Sequence, residues 1–128
     1  MFNDGNRTLQ ERYDGRAVAD KIVELVETPT FTPEFQEFVE SLPFFFLATS
    51  AGENTDCSFK GGAPGFVRVT APDHLIFPDY DGNRMYKSLG NIIENPNVGL
   101  LFLKFGAEEG RARCHVPAPA CKRESLRP

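Results

Sequence analysis

Tryptophan is absent from the 128 residues, and the histidines number two, His74 and His115. The three cysteines, Cys57, Cys114 and Cys121, are an odd number and include no Cys-x-x-Cys pair. A zinc site and a disulfide framework are therefore both improbable, and a reducing cytoplasm is the expected location. Long apolar runs are missing too. The longest, Phe44–Ala48 and Val98–Leu103, fall far short of the roughly 20 residues that cross a bilayer, so no membrane association is expected. The first residues, Met-Phe-Asn-Asp-Gly-Asn-Arg, lack the basic-then-apolar order of a secretory signal. A formal net charge of −4 argues against a nucleic-acid partner, which would need a basic surface to displace counterions from phosphates.

What is present suits one soluble domain. The chain is 41% hydrophobic and 25% charged, a composition that supports a packed core. Twelve phenylalanines supply most of the aromatic bulk, and phenylalanine packs without needing a hydrogen bond. Charge is uneven: residues 106–128 carry a net +2 and the preceding residues −6. A cationic cluster within the acidic part is thus set against its surroundings.

Residues 1–15 are polar and read as a loose arm. Val18, Ile22, Leu25 and Val26 recur at helical spacing and predict a helix over 16–27, ended by Thr28-Pro29-Thr30. Thr32 is placed to cap a second helix, with Pro33 at its first position and Glu34 near the positive end of its dipole. Phe35, Phe38, Val39 and Leu42 make its apolar face, and Pro43 stops it. The run from Phe44 to Thr49 predicts a central strand covered on both faces. Ala51 to Asn54 reads as a turn, Phe66 to Thr70 and His74 to Phe77 as the next strands of an antiparallel meander, Asn83 to Asn95 as a helix, and Val98 to Phe105 as a fourth strand. Strands in this number around one inserted helix suggest a small barrel. Residues 106–128 show neither a helix nor a strand period.

Four cations lie between the second strand and the inserted helix: Lys60, Arg68, Arg84 and Lys87. Arg84 and Lys87 are three apart at the opening of the predicted helix, where free backbone N–H groups also favour an anion. An arginine fork beside a helix N-terminus suits a phosphate monoester. The bland alternative is four solvated charges. Gly61, Gly62 and Gly65, stiffened by Pro64, permit a tight turn or close approach of backbone to a flat ligand, but they match neither a Walker nor a Rossmann fingerprint. His74 reads as a strand-turn residue. Cys57 reads as a small packed side chain or a reactive thiol.

Two long patterns, Gly61-Gly62-Ala63-Pro64-Gly65-Phe66-Val67-Arg68-Val69 and Asp79-Tyr80-Asp81-Gly82-Asn83-Arg84-Met85-Tyr86-Lys87-Ser88-Leu89-Gly90-Asn91, follow a Phe45-Phe46-Leu47-Ala48-Thr49 strand in the right order. Together they resemble the pyridoxamine 5′-phosphate oxidase-like family of flavin-binding split barrels, over about half the chain. The resemblance implies a mainly β fold with flanking helices: an FMN-binding split β-barrel that forms a homodimer with the flavin between subunits. By position, Arg68 and Val69 lie beside the flavin and its phosphate tail. Pro78, Asp79 and Tyr80 line the ring or ribityl chain, and Asn83, Arg84 and Met85 surround the phosphate. Ser88 and Asn91 join the cofactor set, while Lys60 and Ser58 face the ring edge or the substrate. The implied function is a flavin-dependent oxidoreductase acting on a small molecule, with a nicotinamide as reductant.

The implied organisation is an arm over 1–15, a split-barrel domain over 16–105 with helices in 16–42 and the barrel core in 43–105, and an atypical tail over 106–128. Relatives continue past the strand matching Val98–Phe105 with further strands, whereas the tail here does not read as sheet, which implies a truncated C-terminus and an incomplete barrel. Three other readings stand beside the first: a non-catalytic flavin or haem binder, a protein using deazaflavin in place of FMN, and a shortened member without cofactor.

Overall fold

The computed structural model describes residues 2–26, 30–80, 82–105 and 114–118, which fall into two compact units divided after Phe31.

The first unit is helical, which corrects the expectation of a loose arm. Helix α1 spans Asp4–Arg12 and α2 Arg16–Val26. A reciprocal cap starts α1: Asn3 Oδ1 accepts the Asn6 N–H at 2.9 Å and Asn6 Oδ1 accepts the Asn3 N–H at 3.0 Å. This is the capping-box arrangement built from two asparagines, so a segment with little apolar content still nucleates a helix. Arg7 then reaches Asp20 of α2 at 2.7 Å. The predicted helix at 16–27 falls in the same compact unit as α1. Its expected apolar face, Val18, Ile22 and Leu25, is more than half exposed.

The second unit begins with α3, Pro33–Ser41, whose cap is the predicted one: Thr32 Oγ1 accepts the Phe35 N–H at 3.1 Å. Six strands and one helix follow: β1 Phe44–Ala51, β2 Asn54–Gly61, β3 Arg68–Ala71, β4 His74–Ile76, α4 Lys87–Glu94, β5 Val98–Phe102 and β6 Cys114–Ala118. They form a four-stranded sheet in the order β2-β1-β5-β6 and a separate β3-β4 hairpin. The fold is thus mixed α and β rather than mainly β. No strand pairing joins the two sheets among the described residues, so the split barrel is not seen as a closed structure.

The expected meander is corrected as well. The expected hairpin of the second and third strands is present as β3-β4, but β1 pairs with β2 and β5, and β2 occupies residues between the expected turn at Ala51–Asn54 and the glycine turn, where no strand was expected. The inserted helix starts at Lys87 rather than Asn83. Residues 114–118, expected not to be sheet, pair with β5 as an edge strand. Backbone pairing along a free edge needs no side-chain period, and Pro117 is tolerated because an edge strand can leave its outward side without an N–H donor. The remaining tail residues lie outside the described ones.

The core sits on one face of the sheet. Val39 and Leu42 of the α3 segment, Phe45 and Leu47 of β1, Val67, and Leu100 and Phe102 of β5 are buried, with Phe35, Phe38, Phe66, Val69, Leu75 and Phe77 packed around them. The other face has no helix or second sheet packed on it among the described residues, contrary to the expectation for β1, and Phe44 and Phe46 are half-buried there. There Phe44 stacks on Phe59 at 5.4 Å and on Phe105 at 5.9 Å, while Phe59 and Phe105 remain 63% and 74% exposed.

The glycine-rich turn separates two glycines by their neighbours. Pro64 and Gly65 occupy its centre, with Gly65 at φ +91° and the Phe66 N–H donating to the Ala63 carbonyl at 3.0 Å, the geometry of a turn that needs a left-handed third residue. A Cβ on Gly62 would lie 2.8–2.9 Å from Phe66 Cγ and Cβ, atoms tied to the backbone. On Gly61 it would meet mainly the outer edge of the exposed Phe59 ring, at 2.7 Å. Gly62→Ala is expected to lower stability by about 1–3 kcal/mol and Gly61→Ala by less than about 1 kcal/mol, as read from urea midpoints of the two variants.

Candidate functional site

The face of the sheet that carries the core changes character from β1 to β2. Residues directly opposite in an antiparallel pair share a face, and Phe45, Leu47 and Thr49 of β1 lie opposite Lys60, Ser58 and Asp56 of β2. An apolar column on β1 is thereby flanked by a polar column on β2. Each member of that column holds one residue of the 79–88 stretch. Lys60 Nζ lies 3.4 Å from Asp79 Oδ1, Ser58 Oγ lies 3.5 Å from Ser88 Oγ, and Asp56 Oδ1 lies 3.3 Å from Lys87 Nζ. Strand β2, unforeseen in the sequence, is thus what places the cation-bearing segment.

Asn83, Arg84 and Met85 form the turn before α4. Asn83 Oδ1 accepts the Met85 N–H at 3.0 Å, and Arg84 and Tyr86 both adopt left-handed backbone, at φ 61° and 51°. Tyr86 offers no side-chain cap to the helix, so the first N–H groups of α4 are not satisfied by the residue that precedes them. Arg68 and Arg84 are exposed, and the ion pairs among the described residues leave both without a carboxylate. Tyr80, Met85 and Tyr86 are all more than half exposed, Met85 directly following Arg84 in the chain. Asp81 lies outside the described residues.

Arg68 stands at the start of β3 opposite Ile76, two residues from where Pro78 opens the segment. Its neighbour Val69 packs against the core, and the Val69 N–H donates to Glu40 Oε1 of α3 at 2.9 Å. That bond fixes β3 at an irregularity in its pairing with β4. Of two open clefts, of about 350 and 310 Å3, one lies between Ala48–Ser50, Thr55, Asp56 and Asn97–Gly99 and so shares Thr49 and Asp56 with the two columns, and the other lies between Ser41–Phe44 and Leu103–Phe105. Neither is lined by Arg68, Arg84 or the residues from Pro78 to Met85.

A family model described as Pyridoxamine 5′-phosphate oxidase matches residues 31–128. The chain belongs to the pyridoxamine 5′-phosphate oxidase family. Neither the curated proteins nor the solved structures yielded a match. Members of the family commonly bind FMN and are often dimeric. The family match begins where the second unit begins and runs through residues 106–128, the stretch set apart in the sequence as an atypical tail. No helix among the described residues is long and apolar enough to cross a membrane.

Set against that family, the predicted site residues divide into three groups. Lys60, Asp79, Ser88 and Asn91 are engaged with other protein groups, Asn91 Nδ2 donating to Thr49 Oγ1 at 3.1 Å. Pro78, Tyr80, Asn83, Arg84 and Met85 are exposed around the turn. Arg68 forms no hydrogen bond or ion pair with any of the others among the described residues, and Val69 joins it through the chain alone. Asp56 and Thr49 were missed by sequence reasoning. The alternation of Asp56, Ser58 and Lys60 with Cys57 and Phe59 was the available signal, a period of two hidden by the glycines that follow. Cys57 lies opposite Ala48, on the uncovered face and away from the column. His74 is exposed at the β3–β4 turn beside Asp73, the place expected for a turn residue.

Proposed function

We propose that this chain binds FMN and works as a flavin-dependent oxidoreductase on a small molecule in the cytoplasm, as a homodimer with the cofactor between subunits. The observation that carries the reading is Arg84, exposed and without a carboxylate partner among the described residues, in a left-handed turn ahead of a helix whose N-cap residue makes no side-chain cap, with Tyr80, Met85 and Tyr86 also exposed. Within this family, that combination of a free guanidinium, free backbone N–H groups and an exposed aromatic set fits a ligand with a phosphate at one end and a flat ring at the other.

The donor set fits FMN in charge as well. Lys60 and Lys87 are paired with Asp79 and Asp56, whereas Arg84 and Arg68 have no carboxylate partner among the described residues and are the cations left to meet a phosphate dianion. In this reading Arg84 holds the phosphate with the first turn of α4, and Asn83 keeps that turn in shape. Asp79 orients Lys60 toward the ring edge, Arg68 and Val69 border the cofactor, and Pro78 and Tyr80 shield it from water. Bound FMN supplies the electron transfer itself, with a nicotinamide as the source of electrons. The second copy packs on the face carrying Phe44, Phe46, Phe59 and Phe105, a ring cluster in which Phe59 and Phe105 are exposed, an apolar patch of the kind that marks association, and it encloses the site.

The visible spectrum of the purified chain tests this directly. A flavin spectrum, or saturable uptake of added FMN, is expected, with bleaching by a reduced nicotinamide. Protein that stays colourless and takes up no FMN contradicts the cofactor assignment, and a monomer by sedimentation at micromolar concentration contradicts the shared site.

A further inference from the structure

Helix α4 is seated on the sheet by polar contacts at one spacing. Lys87, Ser88, Asn91 and the capping residue Asn95 fall on one helical face and meet Asp56, Ser58, Thr49 and Ser50 at 3.3, 3.5, 3.1 and 3.4 Å. Thr49 and Ser88, 5% and 6% exposed, are the buried polar residues among those described, and both belong to this seat. An apolar helix face can slide or rotate on a sheet at small cost, because dispersion contacts lack direction. A buried hydrogen bond permits one registration, since a displaced helix leaves its donor and acceptor unsatisfied.

We propose that Thr49 is a positioning residue for the phosphate end of the flavin site: its hydroxyl, bonded to Asn91, sets the registration of α4 and so the place of the N-terminal turn and Arg84. The proposal rests on the FMN reading above. Asn91 is four residues beyond Lys87, about 6 Å along the helix axis. Thr49 therefore acts through the helix. The same geometry gives Ser88 and Asn91 a part in the site without contact to the ligand, their side chains being turned to the sheet.

Thr49→Val removes the acceptor and keeps a β-branched strand residue of the same shape, Thr49→Ser keeps the hydroxyl, and Asn91→Ala removes the same bond from the helix side with a good helix former. In the full chain, dissociation constants for FMN and for riboflavin, which lacks the phosphate, are measured by flavin fluorescence. Thr49→Val and Asn91→Ala are each expected to weaken FMN by roughly five- to tenfold and riboflavin by less than twofold. Thr49→Ser restores the wild-type FMN value, and the double variant loses no more than either single one. Equal losses for both flavins, additive losses in the double variant, or an unchanged FMN constant overturns the positioning role alone. Wild-type protein that binds neither flavin overturns the FMN reading and the positioning role with it.

Discussion

Phe45→Ala is expected to destabilise the second unit by about 3–5 kcal/mol. Phe45 is fully buried and touches three other rings: Phe77 edge-on at 4.9 Å, Phe102 at 5.2 Å and Phe66 stacked at 6.0 Å. Those rings come from β5, from the turn before β3 and from the chain after β4, so the side chain ties together the two sheets that no strand pairing joins. Its removal costs the transfer of a large apolar group and leaves a void between these three segments that they cannot fully close. Against the 5–15 kcal/mol typical of a domain, such a loss can unfold the protein outright. Urea unfolding followed by tyrosine fluorescence should show a much lower midpoint with an unchanged slope. The neighbouring Phe44→Ser, on the uncovered face, is expected to cost less than about 1 kcal/mol by the same measurement at concentrations where the chain is monomeric. Equal midpoints for the two variants would contradict the assignment of faces.

Arg84→Gly is expected to weaken FMN binding by about 2 kcal/mol or more, roughly 30-fold, while leaving thermal stability unchanged or slightly raised. The two halves of this expectation have separate causes. The guanidinium is exposed and lacks a carboxylate among the described residues, so folding gains little from it, whereas a phosphate dianion gains charge-assisted bonds. At φ 61° an arginine backbone is held in a conformation that costs about 1 kcal/mol or more and that glycine adopts freely. Arg84→Lys, keeping charge without the fork, should fall between wild type and glycine in affinity. If Arg84→Gly binds FMN as wild type does, the phosphate assignment of Arg84 is wrong.

Local chemistry was legible where neighbouring residues decide the outcome. The Thr32 cap with Pro33, the apolar face from Phe35 to Leu42, the Pro64-Gly65 turn and the two family patterns all depend on residues a few positions apart, and each stands as read. The failures have a common origin. Phe44, Phe45 and Phe46 are chemically identical, so no pattern along the chain can tell the packed ring from the uncovered ones. Strand β2 was missed because its polar residues do not face solvent as in an ordinary half-buried strand; Asp56, Ser58 and Lys60 look inward to partners about 19 to 31 positions later in the chain. The two asparagines that start α1 looked like loop composition until their reciprocal bonds were in place.

The sequence by itself determined the family and the helix that opens the second unit, because these rest on residue identity and short-range order. Only the tertiary structure decided what Ser88 and Asn91 do. In the sequence they stand within the cofactor pattern; in space their hydrogen bonds run to Ser58 and Thr49, strand residues 30 and 42 positions away. A side chain's role follows from the partner that satisfies it, and for buried polar groups the partner comes from the fold.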